Sequence, residues 1–341
     1  MKVYFSSGAH SELDSMRGIG VNTSELVKAL EVKSQKSKVI VVDRSNADIV
    51  HFTKFRPFFV DLPFFKTASQ KWILTIHDLI PLIYPEHYPS GIKGKIRFYI
   101  NKFLIKKYVD RVITISETSK KDICRFLGVK PEIVDVVYLA PKSAIKKLEK
   151  GKWIEETKKK FNLPDKFILF DHGLNYNKNL KTLIEACNKI NFPLVAIDED
   201  TKNINNLDLN HPELKHLKGV NFSKVIRPGY VTDDELNKIY NLAYICIQPS
   251  FYEGFGLPPI QAMKLGCPVI CSRTQALVEV CGDACLYFDT NSVDDLVEKL
   301  KILMSDNKQR NECIKRGYEQ VKKYSWDKAA KETLKIYKKM I

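Results

Sequence analysis

Glu253 lies on a loop where a predicted strand and a predicted helix meet. The apolar run at 243–247 predicts a short buried strand before the loop. Pro258 and Pro259 follow it and suit the first turn of a helix, where backbone N–H groups have no partner within the helix. A carboxylate in this position can accept hydrogen bonds from sugar hydroxyls, because its oxygens only accept.

The loop and the helix start together predict a diphosphate site. The free N–H groups and the helix dipole both attract an anion, and glycines let the backbone come close to it. Gln261, eight residues after Glu253 and about two helical turns along, can reach a ribose. A plain glycine-proline turn that caps an ordinary helix is the alternative. The residues expected to contact the phosphates are Gly254, Phe255, Gly256 and Leu257.

This segment resembles the donor-binding motif of the retaining glycosyltransferases of family 4, and the likeness extends over almost the whole chain. Family members carry a second Glu where this chain has Gln261, and that carboxylate binds the ribose hydroxyls. An amide keeps the hydrogen-bonding capacity but loses its charge-assisted part, which affects donor affinity or nucleotide preference. The resemblance implies an α/β protein of the GT-B fold, with two doubly wound Rossmann-like domains that face a central cleft.

The alternation of strands and helices also favours two doubly wound units. At 341 residues and 44% hydrophobic content, the chain is long enough for two α/β cores. We place an acceptor-binding domain at 1–155, a donor-binding domain at 156–323, and a last helix at 324–341. The resemblance implies that this helix crosses back to the first domain, although a plain amphipathic terminal helix fits the pattern equally well. The predicted strands are 2–5, 39–42, 49–52, 72–76, 111–115, 167–170, 194–197 and 244–247.

Composition limits location and partners. No apolar run approaches the roughly 18 to 20 residues that span a bilayer, so we expect a cytoplasmic protein, soluble or peripheral on a membrane face. The net charge of +15 is uneven, since residues 1–150 hold 26 Lys and Arg against 15 Asp and Glu, a net +11. The chain lacks the usual nucleic-acid-binding signatures. An anionic acceptor or an anionic membrane surface explains the excess instead.

The segment 91–111 combines basic residues with an apolar stripe at helical spacing. Such a helix either packs into its domain with the basic face in water, or lies on an anionic membrane. The basic residues are Lys93, Lys95, Arg97, Lys102, Lys106, Lys107 and Arg111.

Two patterns suggest a metal site, and we interpret neither as one. The spacing Cys267-x3-Cys271 followed by Cys281-x3-Cys285 could be taken for a zinc site. However, Cys267 and Cys271 are separated by about 13 Å of predicted strand, too far to share one tetrahedral ion. The eight cysteines are interpreted as core residues in a reducing compartment. The run 198–200, Asp-Glu-Asp, resembles the metal clamp of the unrelated GT-A fold, but GT-B enzymes use lysine and helix dipoles. We therefore expect no metal and no other cofactor, the nucleotide sugar being a substrate.

Two further motifs lie in the first half. Gly18 and Gly20 precede a helix predicted to start near Asn22, and they match the family's glycine-rich loop that faces the donor phosphates; an ordinary flexible loop is the alternative. His77 and Asp78 follow a predicted strand, where a His-Asp pair is often a structural cap. By resemblance, His77 lines the cleft near the donor sugar, where it could stabilise departing charge or bind a hydroxyl.

In the second half, Lys178 opens a predicted helix at 180–190 and can pair with the donor diphosphate. A solvated lysine at a helix start is the alternative. Family members show Arg-Lys where this chain has Asn177 and Lys178, so one phosphate-neutralising charge is missing or comes from Arg17 or His172. Further residues assigned to donor binding, by their position or by resemblance, are Gly173, Tyr230 and Val231.

The resemblance carried by these residues implies a retaining, metal-independent transferase that moves a hexose from a nucleotide diphosphate sugar to a hydroxyl acceptor by front-face displacement. His77, Lys178 and Glu253 are the expected catalytic residues. GDP-mannose is the first donor candidate and a UDP-hexose the second. The expected acceptor is a glycan, a lipid-linked glycan or another hydroxyl compound. A non-catalytic nucleotide-sugar or glycan-binding protein and a sugar-nucleotide epimerase of the same fold are the alternatives.

Overall fold

The structure is a computed structural model that describes residues 1–6, 18–37 and 40–341. Contacts divide the chain into two compact units. Unit 1 contains Met1–Lys142 and Tyr324–Ile341, and unit 2 contains Ser143–Lys323. In the described part of the chain, no helix is both long enough and apolar enough to cross a membrane.

Unit 1 is a six-stranded parallel sheet in the order β2-β1-β3-β4-β5-β6, with helices on both faces. Its strands are β1 (Lys2–Ser6), β2 (Ile40–Val41), β3 (Ile49–Phe52), β4 (Lys71–Thr75), β5 (Arg111–Thr114) and β6 (Val134–Val136). Its helices are α1 (Gly18–Ser37), α2 (Ile80–Ile83), α3 (Gly91–Tyr108), α4 (Glu117–Asp122, continued by a π-helical turn at Ile123–Leu127) and α13 (Trp326–Lys338).

Unit 2 is a second six-stranded parallel sheet, in the order β12-β11-β10-β7-β8-β9. Its strands are β7 (Ile168–Phe170), β8 (Leu194–Ala196), β9 (Val225–Ile226), β10 (Ile245–Gln248), β11 (Val269–Ser272) and β12 (Leu286–Phe288). Its helices are α5 (Trp153–Phe161), α6 (Leu180–Ile190), α7 (Glu199–Lys202), α8 (Asp233–Leu242), α9 (Leu257–Lys264), α10 (Gln275–Cys281), α11 (Val293–Ser305) and α12 (Asn307–Val321).

The strand order of unit 2 fixes where a ligand can bind. Counted within the unit, the order is that of a Rossmann sheet, and its direction of winding reverses between β7 and β10. Ligands of such sheets bind beyond the carboxyl ends of the strands at this reversal, where the loops after the two central strands run in opposite directions. The loops after β7 and β10 carry Lys178 and Glu253. Two doubly wound parallel sheets confirm the predicted fold class.

The predicted boundary between the domains differs from the observed division. Residues 143–155, assigned from sequence to the first domain, belong to unit 2. Ile145 is buried in its core. The Lys146 and Leu148 N–H groups donate to the side chains of Asn237 (2.9 Å) and Asn241 (3.0 Å) on α8. These contacts join residues that are remote in sequence, so local sequence patterns could not place the boundary.

Helix α13 completes one face of the unit 1 sheet. Its buried residues pack with Val27 and Leu30 of α1. Trp326 donates its indole N–H to the Pro141 carbonyl at 3.1 Å. The Tyr337 hydroxyl lies 2.7 Å from Nδ1 of His51, whose Nε2 lies 2.7 Å from Oγ1 of Thr75. Burial lowers the pKa of His51 to about 3, so the ring is neutral and has one donor and one acceptor for these two hydroxyls.

We expect Tyr337→Phe to lower the free energy of unfolding by about 1–3 kcal/mol, because it leaves a ring nitrogen of buried His51 without its partner. Urea unfolding measures the change. Tyr99→Phe is the matched control, since Tyr99 is exposed on α3. Equal losses in the two variants would show that the buried hydroxyl is not what stabilises this packing.

Candidate active site

Glu253 is a buried carboxylate surrounded by hydrogen-bond donors. Its Oε1 accepts from Gln248 Nε2 at 2.7 Å, from Ser250 Oγ at 2.7 Å and from Lys178 Nζ at 2.8 Å. Its Oε2 lies 3.0 Å from Lys178 Nζ. Three donors on one oxygen fix the orientation of the carboxylate and leave Oε2 with a single described partner.

Two opposing effects set the pKa of Glu253. Burial raises it, whereas the charge of Lys178 and the hydrogen bonds from Lys178 and Ser250 lower it. The net effect is a lowered pKa, so the carboxylate is ionised at neutral pH. The same ion pair orients Lys178, which places a cation beside the carboxylate.

Gln248 extends the network to His172. Because the amide nitrogen of Gln248 donates to Glu253, its oxygen faces His172 and accepts from the Nε2–H of that ring. Burial and the neighbouring Lys178 lower the pKa of His172 to about 3. His172 is therefore neutral, and it does not supply the phosphate-neutralising charge that the sequence left to it or to Arg17. Arg17 lies outside the described residues.

The side-chain amide of Gln261 uses its nitrogen in a hydrogen bond and leaves its oxygen available. Its Nε2 lies 3.3 Å from the Tyr240 hydroxyl, which donates to Asp171 at 2.7 Å. Because Asp171 only accepts, the Tyr240 oxygen receives the Gln261 N–H. Gln261 Oε1 is buried and has no hydrogen-bond partner among the described residues. It is thus an acceptor to which a ribose hydroxyl could donate.

The segment 254–257 forms the predicted turn and helix start. Helix α9 begins at Leu257, with proline in its first turn, which confirms the predicted helix. Gly256 is its N-cap with φ +108°, and a Cβ there would lie 2.6 Å from Cδ2 of Leu277. Only glycine suits this position. Gly254 precedes it, and Phe255 is buried, so its ring supports the loop while the backbone carries the N–H groups.

Asn177 joins the two loops of the site. Its Nδ2 donates to the Tyr252 carbonyl at 3.0 Å, and its carbonyl accepts from Phe251 N–H at 2.8 Å. Asn179 adds a bond from Nδ2 to the Pro249 carbonyl at 3.0 Å. The buried Asn177 side chain therefore holds the two loops together, a different use from the donor contact expected of it.

The other predicted donor-binding residues of unit 2 surround this network less closely. Gly173 follows β7, and a Cβ there would lie 3.3 Å from Asn175 Oδ1. The Tyr230 ring is exposed, and its N–H donates to Glu199 Oε2 at 3.2 Å. Val231 is half-buried against the core.

In unit 1, His77 lies just beyond β4. Burial lowers its pKa to about 4, so the ring is neutral and suits hydroxyl binding better than stabilisation of negative charge. Its Nδ1 has no partner among the described residues, and it lines a cavity of about 30 Å³ with Asn22 and Thr23. Asp78 accepts from Ile80 N–H at 3.2 Å and so caps α2.

Gly18 and Gly20 do not form a loop before the helix. Helix α1 begins at Gly18, one turn before the predicted start near Asn22, so both glycines lie in its first turn. Asn22 and Thr23, near which the helix was expected to start, are instead inside it and buried. The N–H groups of the first turn still lack partners within the helix.

The two metal-like patterns have structural surroundings. Asp198 caps α7 by accepting from Asp200 N–H. The Sγ atoms of Cys271, Cys281 and Cys285 lie within 4.8 Å of one another in the core of unit 2, an arrangement that the spacing argument about Cys267 did not anticipate. All eight cysteines are free.

Comparisons with known proteins match a family to each half of the chain. The family described as glycosyl transferases group 1 matches residues 151–320, and glycosyltransferase family 4 matches residues 36–140. The chain belongs to this glycosyltransferase family. The two matches fall on unit 2 and unit 1 respectively, so each half carries its own sequence signature.

Several curated relatives of this chain are named as mannosyltransferases. The serotype-specific mannosyltransferase WbdA of Escherichia coli is 27% identical over 310 residues, which cover 87% of this chain and 37% of WbdA. The chain thus spans little more than a third of that relative. The O-antigen chain mannosyltransferase B of Escherichia coli is 27% identical over 281 residues, covering 79% of this chain and 70% of the relative.

Solved structures place the chain in the GT-B fold. Sucrose-phosphate synthase from Thermosynechococcus elongatus has a TM-score of 0.72 at 16% identity, covering 99% of this chain and 98% of that one. Anabaena HepE, solved in complex with UDP and glucose, also has a TM-score of 0.72, at 13% identity. The match covers 99% of this chain and 100% of the HepE chain.

Sequence reasoning missed Gln248 and Ser250 and considered His172 only as a possible phosphate partner. Gln248 ends a strand that otherwise looks like a plain apolar run, and its partner His172 is 76 residues away. The signal that could have found it is a fully buried polar residue at the carboxyl end of a strand.

The buried histidines predict a pH dependence of stability. In an unfolded chain each titrates near 6.5, whereas folded His51, His77 and His172 have pKa values of about 3, 4 and 3. Below pH 6.5 the unfolded state therefore binds protons that the folded state does not. The free energy of unfolding should fall as pH decreases from 6.5 to about 4, by up to about 1.4 kcal/mol per pH unit per histidine.

Urea titrations at a series of pH values measure this slope. His172→Gln should make it shallower by removing one such group. The exposed His211→Gln variant is the control and should keep the slope of the parent. A parent stability that stays constant between pH 6.5 and 4 would contradict the neutral, buried state of these rings.

Proposed function

We propose that this protein is a retaining, metal-independent mannosyltransferase that transfers mannose from GDP-mannose to a hydroxyl of a glycan or lipid-linked glycan. The observation that carries the proposal is the Lys178–Glu253 pair at the loop reversal of unit 2, beside the N-terminus of α9. The named relatives support mannose as the sugar. A UDP-hexose is the second donor candidate, because the HepE structure holds UDP.

The diphosphate is assigned to Lys178 and to the first N–H groups of α9. A lysine cation and a helix N-terminus together stabilise the charge that develops on a departing nucleotide diphosphate, so no metal is required. With His172 neutral and Asn177 committed to the loops, Lys178 is the side-chain cation in the described part of this network.

The sugar is assigned to Glu253, and the ribose to Gln261. Glu253 is ionised and oriented by Gln248 and Ser250, so it can accept from a sugar hydroxyl and hold the ring for attack from the face that the leaving group occupies. The neutral His77 ring is assigned to a sugar hydroxyl.

For location, we propose the cytoplasm and a peripheral association with a membrane face, where lipid-linked glycans are presented. The support is the free state of all eight cysteines and the excess of basic residues in the first half of the chain.

Glu253→Gln should reduce turnover on the order of 100-fold, because the neutral amide no longer holds the sugar hydroxyl with a charge-assisted bond. The melting temperature checks that the variant stays folded. The control is Glu185→Gln, which neutralises an exposed carboxylate on α6. Turnover like that of the parent, with saturating donor and acceptor, would remove Glu253 from the chemistry.

Lys178→Ala should weaken GDP-mannose and GDP alike by about 10- to 100-fold, because one charge-assisted bond to the diphosphate is lost. Titration calorimetry measures both affinities, and mannose alone tests whether the sugar contributes. Lys181→Ala, an exposed lysine three residues along, is the matched control. If the parent binds UDP-sugars and not GDP-mannose, the donor assignment moves to the second candidate. Donor binding without transfer to any glycan acceptor would favour a non-catalytic binding protein.

A further inference from the structure

Helix α3 exposes an apolar stripe on its outer face. Ile92, Ile96, Tyr99 and Phe103 are separated by four, three and four positions, so they lie on one side of the helix. Between 55% and 80% of each side chain is exposed. The sequence left two alternatives open for such a helix, packing into the domain or lying on an anionic membrane. Of its apolar residues, Leu104 packs inward, whereas Ile96, Tyr99 and Phe103 are exposed.

A second set of residues packs α3 into unit 1, on the opposite face. Gly94, Leu104 and Ile105 are buried there. Asn101 on that face donates its Nδ2 to the Phe59 carbonyl at 2.6 Å and to the Pro57 carbonyl at 3.2 Å. The helix is therefore held in one rotational setting, and the stripe is exposed because the other face is occupied.

A neighbouring segment contacts α3 at two points and also exposes aromatic rings. The Phe59 ring lies 6.0 Å from the Arg97 guanidinium of α3. Lys66 donates its Nζ to the Tyr108 carbonyl, at the end of α3, at 2.8 Å. Between these two contacts the chain exposes Phe64 and Phe65, the latter by 85%.

Basic side chains flank the stripe. Helix α3 has no acidic residue. At about 100° per residue, Lys95 and Lys106 lie on one side of the stripe, and Lys93 and Lys107 on the other. Lysines in these positions can extend their ammonium groups to headgroups while the apolar side chains enter the interface. Lys102 is different, because it donates to the Phe126 carbonyl and so supports the fold.

We propose that the α3 stripe (Ile92, Ile96, Tyr99 and Phe103), with Phe64 and Phe65, docks unit 1 on an anionic lipid surface by inserting between headgroups. The inference deepens the membrane association within the proposed function by naming its surface. Charge selects the occupant. A second copy would bring the same basic flanks against themselves, whereas anionic lipid complements them and accepts the apolar side chains.

Insertion makes a prediction that charge alone does not. Attraction between lysines and anionic lipid is screened within about 8 Å at physiological salt and less than that at higher salt. Burial of apolar side chains is not screened. Binding to anionic vesicles should therefore lose a salt-sensitive part and keep a salt-resistant part.

Vesicle sedimentation at low and high salt tests the proposal. The probes are phosphatidylcholine vesicles with and without phosphatidylglycerol. Ile96→Ser with Phe103→Ser should lower partitioning by about tenfold or more at high salt, and less at low salt. Lys95→Ser with Lys107→Ser should lower it mainly at low salt. The charge-matched control is Lys331→Ser with Lys335→Ser on exposed positions of α13.

The proposal is overturned if the parent protein does not bind anionic vesicles at low salt. It is also overturned if the Ile96→Ser, Phe103→Ser variant partitions like the parent at every salt concentration. A third contrary result is a fall in partitioning of the α13 control equal to that of the α3 lysine variant. Sedimentation equilibrium without lipid tests whether a second copy of the chain occupies the surface. A dimer in the parent that becomes monomeric in the stripe variant would assign the surface to that second copy. GDP-mannose affinity, measured without vesicles, should be unchanged in all variants. If the parent bound neither GDP-mannose nor a UDP-sugar, the proposed function would be overturned, whereas the docking result would stand.

Discussion

A buried carboxylate stays ionised only if donors and a cation compensate for its lost hydration, and the site of unit 2 is organised around that requirement. Glu253 is compensated by Lys178, Gln248 and Ser250. Gln248 and Ser250 belong to β10 and its own loop, whereas the Lys178 contact forms only because the loops after β7 and β10 meet. The parallel order of the sheet brings the loops together, and Asn177 and Asn179 bind one loop to the other.

The network also determines the states of its neutral members. Because Glu253 accepts only, the Gln248 amide must present its nitrogen to Glu253 and its oxygen to His172, and the histidine must carry its proton on Nε2. On the other side of the site, Asp171 accepts only, so Tyr240 donates to it and receives from Gln261. Each chain of bonds begins at a carboxylate, and the second leaves Gln261 Oε1 as an acceptor for a ligand.

Local signals in the sequence predicted several secondary-structure elements. Features that depend on contacts between residues remote in sequence were not predicted. Helix 180–190 and the helix at Leu257 were predicted because prolines, polar caps and apolar spacing are local features. The predicted start of α1 was wrong, since Asn22 and Thr23 lie buried within the helix instead of at its beginning. Gln248 was missed because it ends an apolar strand and its partner His172 comes from the loop after β7.

The α3 stripe shows the same limit on a helix face. Periodicity locates apolar stripes but does not say which one meets the core. Leu104 and Ile105 face inward, and on the same face Gly94 leaves room for the Phe58 side chain and Asn101 donates to the Phe59 carbonyl. The more strongly apolar stripe, with Ile96 and Phe103, is left outside.

In the proposed function Lys178 has two partners, Glu253 and the donor diphosphate, and donor binding is then coupled to the ionisation of Glu253. In the protein alone, its ammonium group lies on the carboxylate. A diphosphate that draws the ammonium group away removes the largest effect that lowers the pKa of Glu253, while burial continues to raise it. The hydrogen bonds from Gln248 and Ser250 remain, and a sugar hydroxyl that donates to Oε2 replaces part of what Lys178 supplied. A nucleotide diphosphate without its sugar offers no such hydroxyl. Complete donor should therefore be favoured over free nucleotide by more than the direct contacts of the sugar, because the sugar also keeps the carboxylate compensated.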